Sequence, residues 1–187
     1  MNREKDSGYY DGIYATSPEY QKENPKDSIY YPVWAEILGW LHGTMTICEL
    51  GCGNGLFAQL VMAKGLNYTC GMDFSEEAIK LARKNNPGNT HKFYVEDVYT
   101  HGVNMVNTVI CLETLEHLED DLRVINRLPE ETRFIFSVPD FMCDSHVRCF
   151  ANEQEIMERY PMLIIGGIEK IQVAKNRNIY IVDSIRR

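Results

Sequence analysis

The sequence predicts an α/β fold: a mostly parallel, seven-stranded sheet with helices on both faces and an antiparallel hairpin at its C-terminal end. Three observations predict it. From residue 45 onward, short apolar runs alternate with amphipathic ones, as expected for parallel strands joined by helical crossovers. Near the C-terminus, MLIIGGIEKIQVAK and NIYIVDSIRR are two β-rich runs joined by NRN, which reads as a hairpin. A glycine-dense stretch, CELGCGNG at 48–55, falls between the first strand and the first crossover helix, at the sheet edge where open α/β folds bind ligands.

The elements follow in order. Residues 1–44 form an N-terminal segment: a Tyr-rich arm over 7–31, then a helix with Pro32 at its first position and Val33, Trp34, Ile37, Leu38 and Leu41 on its apolar face. Residues 45–187 form the sheet domain, and the two pack as a single globular unit. MTICEL (45–50) is the first strand, and LFAQLVMAK the next helix, stopped by Gly65. YTCGMDF (68–74) is the second strand. Ser75 caps the helix after it, with Glu76 and Glu77 in the first turn and Lys80, Arg83 and Lys84 toward the end, matching the helix dipole. HKFYVEDV (91–98) and VNTVICLE (106–113) are the third and fourth strands. LEDDLRVINRL (118–128) is a helix closed by Pro129, TRFIFSVPD (132–140) the fifth strand, and NEQEIMERY a short helix before the hairpin.

Composition narrows the function. The 187 residues are 44% hydrophobic and 25% charged, with net charge −8 and no Lys/Arg-rich run. A large nucleic-acid footprint is therefore disfavoured. The start, MNREKDSGYYDG, lacks the apolar segment of a signal peptide, and no apolar run approaches the ~18 residues of a membrane span. The six cysteines include no CxxC pair, and four lie in or beside strand-like runs, so reduced thiols and a cytoplasmic location are expected.

The glycine loop carries the chemistry. Glycines there allow a tight turn and let a ligand approach bare backbone, while the helix N-terminus offers free N–H groups. Asp73 ends the second strand 22 residues after Gly51, the place of an acid that grips a ribose diol, and Asp97 ends the third. An adenosine ligand uses both acids, and Phe74 is positioned to stack on the base. A dinucleotide fingerprint, G-x-G-x-x-G/A, requires a small residue where Leu56 stands.

ICELGCGNG, GMDFS, VEDV, VICLETLEHL and FIFSVPD, in that order over 47–140, resemble the motif series of the Rossmann-like (class I) S-adenosylmethionine-dependent methyltransferases. The resemblance implies a methyltransferase with S-adenosylmethionine as cofactor. It implies that Glu49, Gly51 and Gly53 line the methionine end, that Asp73 holds the ribose, that Phe74 and Val98 flank the adenine with Asp97 at its amino group, and that Leu112 lies under the methionine portion. One further contact is expected from the arm, with Tyr10, Tyr14 and Tyr30 as candidates.

The acceptor is less legible. CLETLEH stands where amino-methylating DNA enzymes carry an Asn/Asp-Pro-Pro-aromatic motif. Glu113, Glu116 and His117 form E-x-x-E-H, spaced to share one side of a helical turn and to hold a divalent cation, Mg or Mn. This pattern resembles two metal-using branches of the superfamily, the ubiquinone-pathway O-methyltransferases and the enzymes that methylate the terminal 2′-hydroxyl of small RNAs. The latter add a histidine after the fifth strand, for which His146 is the candidate. In metal-free relatives the same LEHL merely begins a helix, and His117 or His146 then serves as general base or has no catalytic part. Cys143, His146 and Cys149 supply too few local ligands for a standard structural zinc site, and Arg148 is a candidate to pair with an anionic acceptor. The leading expectation is O-methylation of a small molecule. The alternatives are RNA-terminal 2′-O-methylation with a metal, and a non-catalytic cofactor-binding partner subunit; the expected association, whichever holds, is with a protein partner or as a homodimer.

Overall fold

In the computed structural model of the chain, the described residues are 2–43, 45–100, 102–103 and 105–187. The boundary drawn at Thr44 lies outside them.

The sheet comprises β1 (Thr46–Leu50), β2 (Asn67–Asp73), β3 (Phe93–Val95), β4 (Thr108–Cys111), β5 (Arg133–Pro139), β6 (Leu163–Ala174) and β7 (Arg177–Arg186). Its order is β3-β2-β1-β4-β5-β7-β6, parallel up to β5, with β7 antiparallel to both β5 and β6. The helices are α1 (Ser7–Thr16), α2 (Tyr31–Trp40), α3 (Leu56–Ala63), α4 (Glu76–Asn85), α5 (Asp121–Asn126) and α6 (Glu153–Arg159). No helix among the described residues is long and apolar enough to cross a membrane.

The central strands β1, β4 and β5 are buried on both faces, and their period of two divides the core. Ile47, Ile110, Ile135, Ile179 and Ile181 face one layer with α2 and α3. Cys48, Leu50, Met72, Val109, Phe134 and Phe136 face the other, with Val124, Ile125 and Ile156 of α5 and α6. The capping expectations hold: the Ser75 hydroxyl accepts from the Ala78 N–H, and Gly65 sits at φ +78° just past α3.

Several elements are shorter than their sequence patterns. The third strand spans Phe93–Val95 rather than 91–98, because Asp97 Oδ1 accepts from the Tyr99 N–H and turns the chain. The fourth spans Thr108–Cys111 rather than 106–113, and the helix after it Asp121–Asn126 rather than 118–128. The hairpin turns at Lys175–Asn176, with Asn176 at φ +57°, and Arg177 already belongs to β7. Within the arm, residues 7–16 form α1, capped by Asp6 through its bond from the Tyr9 N–H. Its weak amphipathicity gave the sequence pattern no helix to read.

Candidate active site

The carboxyl ends of the parallel strands open into a cavity of about 620 Å³, within the range of small-molecule sites. Every residue expected to touch a cofactor lines it: Glu49, Gly51, Gly53, Asp73, Phe74, Asp97, Val98 and Leu112.

The glycine loop has the conformation that its composition requires. Gly51 has φ +70°, and a Cβ there would overlap the Thr114 side chain. Gly53 has φ +52°, and a Cβ there would lie 2.7 Å from the Tyr14 hydroxyl. Both positions combine a left-handed backbone with a close neighbour, so neither tolerates a side chain. Asp73 is the hub of the floor. Its Oδ2 accepts from the Gly53 N–H and its Oδ1 from the Ser75 N–H, each at 3.0 Å. Burial still raises its pKa to about 6. Glu49, deeper in, accepts from the Tyr68 hydroxyl at 2.7 Å, and burial raises its pKa to about 8. Both carboxyls are desolvated and await donors or positive charge.

The arm closes the cavity from above. Tyr10, Tyr14, Tyr20 and Tyr30 all line it. Tyr14 packs beside Tyr20 with ring centres 4.8 Å apart and lies over the glycine loop, while Tyr10 packs on Phe74 at 5.4 Å. Asp11 fastens the arm: it accepts from the Ser75 hydroxyl and from the Glu77 N–H. Glu4 accepts from the Tyr99 hydroxyl and the Glu119 N–H, and Asn2 donates to the Cys143 carbonyl. Asp11 and Glu4 carried no signal in the sequence, because nothing local predicts where an arm docks.

Beyond Phe74 the wall becomes polar and unusual. Glu116, His117 and His146 each present a ligand atom, all within 4.8 Å of one another. His117 Nδ1 contacts the Ser145 carbonyl and His146 Nδ1 the Phe141 carbonyl, both at 3.0 Å. A carbonyl accepts only, so each ring carries its proton on Nδ1 and leaves the Nε2 lone pair free. Burial holds both imidazoles below their ordinary pKa, His117 to about 4. Glu116 is fully buried, and neither carboxylate oxygen has a hydrogen-bond partner. Burial, and then the nearby Glu113, drive its pKa well up. A buried carboxyl left without a partner is costly, which marks the spot as built for a ligand.

The E-x-x-E-H residues do not share a regular helical turn. Glu113 has φ +48°, donates its N–H to Ser137 Oγ and accepts from that hydroxyl on Oε1. Residues 115–117 form a single 3₁₀ turn. Glu113 therefore borders the trio, while His146 joins it from the loop after β5. The cysteines at 143 and 149 are not part of this cluster. Arg148 does not face an acceptor: it donates to the Leu115, Leu118 and Glu119 carbonyls and pairs with buried Asp121 at 3.2 Å, bracing the turn that holds Glu116.

Comparison with known proteins agrees with this geometry. The methyltransferase-domain family matches residues 48–129. The ubiquinone biosynthesis O-methyltransferase of Nitrosomonas europaea is 34% identical over 95 residues, covering 48% of this chain and 40% of that protein. Thus the chain spans about two fifths of the length of the curated relatives it matches. The N-methyltransferase NodS of Bradyrhizobium japonicum WM9, solved with S-adenosyl-L-homocysteine, superposes with a TM-score of 0.75 at 15% identity, covering 97% of this chain and 99% of that one. A Haloferax volcanii methyltransferase complex with the activator Trm112 gives a TM-score of 0.77 at 14% identity, covering 100% of this chain and 99% of that one. The fold is that of the Rossmann-like methyltransferases. The motif series and the methyltransferase-domain match over residues 48–129 both liken the chain to the class I S-adenosylmethionine-dependent methyltransferases.

Proposed function

We propose that the chain transfers a methyl group from S-adenosylmethionine to oxygen of a small-molecule acceptor. The observation that carries this reading is the doubly tethered, buried Asp73 on the floor of a cavity lined by all eight expected cofactor residues. In this reading Asp73 accepts the ribose hydroxyls. Glu49, Gly51 and Gly53 line the methionine end, Phe74 and Val98 flank the adenine with Asp97 at its amino group, and Leu112 lies beneath the methionine portion. When bound, S-adenosylmethionine supplies an electrophilic methyl group on sulfur. The chain's own residues bind, orient and exclude water, with the tyrosines of the arm as a roof. His117 and His146, neutral and with free Nε2, are the groups available to take the acceptor's hydroxyl proton.

Oxygen is favoured by the O-methyltransferase relatives. A compact acceptor is favoured by the cavity, which has about 620 Å³ for both ligands. The lining holds seven carboxyls (Glu4, Asp6, Glu49, Asp73, Asp97, Glu113, Glu116) against two cations (Lys5, Arg177), a balance that disfavours a polyanion such as RNA.

The orphaned Glu116 supports a second reading, in which Glu116, His117 and His146, with Glu113 alongside, hold a divalent cation and the two imidazoles are ligands rather than bases. The donor set fits such an ion, and two imidazoles favour Mn over Mg. Such an ion lowers the pKa of an acceptor hydroxyl.

Calorimetric titration with S-adenosylmethionine and S-adenosylhomocysteine, on wild type and Asp73→Ala, tests the reading. Micromolar binding by wild type and its loss in the variant are expected. Absence of binding to wild type overturns the assignment.

A further inference from the structure

Cys48 of β1 and Cys70 of β2 are register partners on adjacent strands, and their Sγ atoms are 2.9 Å apart. Two sulfurs in ordinary van der Waals contact stay well outside that distance. The cause is a slip in the ladder: Ile47 pairs with Tyr68 but Cys48 with Cys70, so Thr69 is the extra residue. The Thr69 hydroxyl donates to the Ile47 carbonyl and fixes the bulge. Cys48 is fully buried, whereas Cys70 is only partly covered and open to a reagent. The shared proton holds the Cys70 thiol low, at about 7, and raises that of Cys48.

We propose that Cys48 and Cys70 are a modification site, a thiol pair that closes reversibly into a disulfide and thereby weakens cofactor binding. The geometry is one step from closure. A disulfide has S–S near ~2.05 Å, so the sulfurs need to approach by about 0.9 Å. The oxidant is a low-molecular-weight disulfide such as glutathione disulfide. The Cys70 thiolate attacks one of its sulfurs, forming a mixed disulfide and expelling one glutathione thiolate. Cys48 then loses its proton, and its sulfur attacks Cys70 Sγ, expelling the second glutathione. Two protein thiols are oxidised, two electrons pass to the glutathione disulfide, and two glutathiones leave.

The consequence for the cofactor site follows from adjacency. Glu49 directly follows Cys48, and Tyr68, which holds the Glu49 carboxyl, lies two residues before Cys70. Gly71, next to Cys70, supports the glycine loop: a Cβ there would sit 2.9 Å from Cys52 Cβ. The bond would span the 22-residue separation that contains the glycine loop and α3. Drawing the two strands together at the bulge displaces the wall that faces the methionine end.

The coupling to affinity rests on the cofactor reading above, and the covalent step does not, so the experiment reads them separately. The purified protein is incubated with excess glutathione disulfide, quenched with iodoacetamide, digested without reduction and analysed by mass spectrometry. A linked peptide joining Cys48 to Cys70, reversed by dithiothreitol and absent in Cys70→Ser and Cys48→Ala, is expected. Alkylated Cys48 and Cys70 after treatment, or a glutathione adduct that persists on Cys70, overturns the proposal. In parallel, S-adenosylhomocysteine is titrated into reduced and oxidised protein, with a loss of affinity of about tenfold expected for wild type and none for Cys70→Ser. Equal affinity in both redox states overturns the coupling. Absence of binding to the reduced protein as well counts against the cofactor reading and against the coupling that rests on it, while the peptide map still decides the bond.

Discussion

Asp11 accepts a hydrogen bond from the Ser75 hydroxyl at 2.6 Å, and Ser75 in turn caps α4 through the Ala78 N–H. One residue of the arm is thereby bonded to the helix whose cap lies beside Asp73. The arm is thus a roof fastened to the cavity floor, and its docking is tied to the order of the α4 N-terminus.

Asp11→Ala removes two bonds at that latch, from Ser75 Oγ and from the Glu77 N–H, while leaving the Ser75 cap intact. At about 1 kcal/mol per net bond, α4 persists but the arm lifts more often. Affinity for S-adenosylhomocysteine should fall by roughly 3- to 10-fold, with faster amide exchange across residues 7–16, readable by calorimetry and hydrogen exchange. Unchanged affinity would show that the arm is no part of the binding site.

Gly51→Ala places a Cβ into Thr114 at a left-handed φ. The strain falls on the loop rather than the core, so the variant should fold, with a stability loss of about 1–2 kcal/mol. Binding of S-adenosylhomocysteine should drop below detection by calorimetry. A variant that binds like wild type would mean that the backbone at Gly51 does not approach the ligand.

How much of this was readable in the sequence follows from the range of the interactions. CELGCGNG, Ser75 and Asp73 act within a turn of their neighbours, so the strand, loop and cap emerged from local pattern, and all eight residues expected to touch a cofactor line the cavity. The cluster of Glu116, His117 and His146 was half legible. Glu116 and His117 are adjacent, but His146 arrives from a loop after β5, and only the resemblance pointed to it. The E-x-x-E-H spacing misled on geometry because Glu113 takes a left-handed φ that no periodicity reports. Arg148 also misled: a loop arginine reads as a free cation, and only tertiary packing places Asp121 and three carbonyls around it. The bulge that brings Cys48 to Cys70 depends on strand register, which the sequence does not state.

Glu49 sets a pH dependence in the ligand-free protein. Burial raises its folded pKa to about 8, above the unfolded carboxyl. The folded state therefore holds a proton that the unfolded chain has lost. Stability from this group is complete below the unfolded value of ~4.3 and falls as pH rises, until the loss is fully developed above about 8. Glu49→Gln keeps an acceptor for the Tyr68 hydroxyl and abolishes that slope. Chemical denaturation at pH 5 and pH 9 should give equal stabilities for the variant from this source, and a wild-type deficit at pH 9 on the order of 3–5 kcal/mol. A wild type that follows the variant across the range would contradict the raised value. A ligand ammonium or sulfonium beside Glu49 favours its ionised form, so binding near pH 7 should release protons, measurable by calorimetry in buffers of different ionisation enthalpy.

Glu116 separates the cation from the cofactor. Its carboxyl is raised by burial and then by Glu113, so the protonated form is favoured without a cation, and a cation competes with that proton to bind. Mn²⁺ uptake by wild type, followed by electron paramagnetic resonance, should strengthen with rising pH. Glu116→Gln has nearly the same shape but no charge to offer, so Mn²⁺ uptake should disappear. Affinity for S-adenosylhomocysteine should stay within about twofold, because Glu116 is not among the residues proposed to hold the cofactor. His146→Ala removes one of the three ligands and should weaken Mn²⁺ uptake by at least ~10- to 100-fold, the cost of losing even an outer partner at a metal site. If wild type takes up no Mn²⁺, or Glu116→Gln takes it up as well as wild type, the trio holds no cation. The unpartnered carboxyl would then, in its protonated form, be a hydrogen-bond donor to the acceptor.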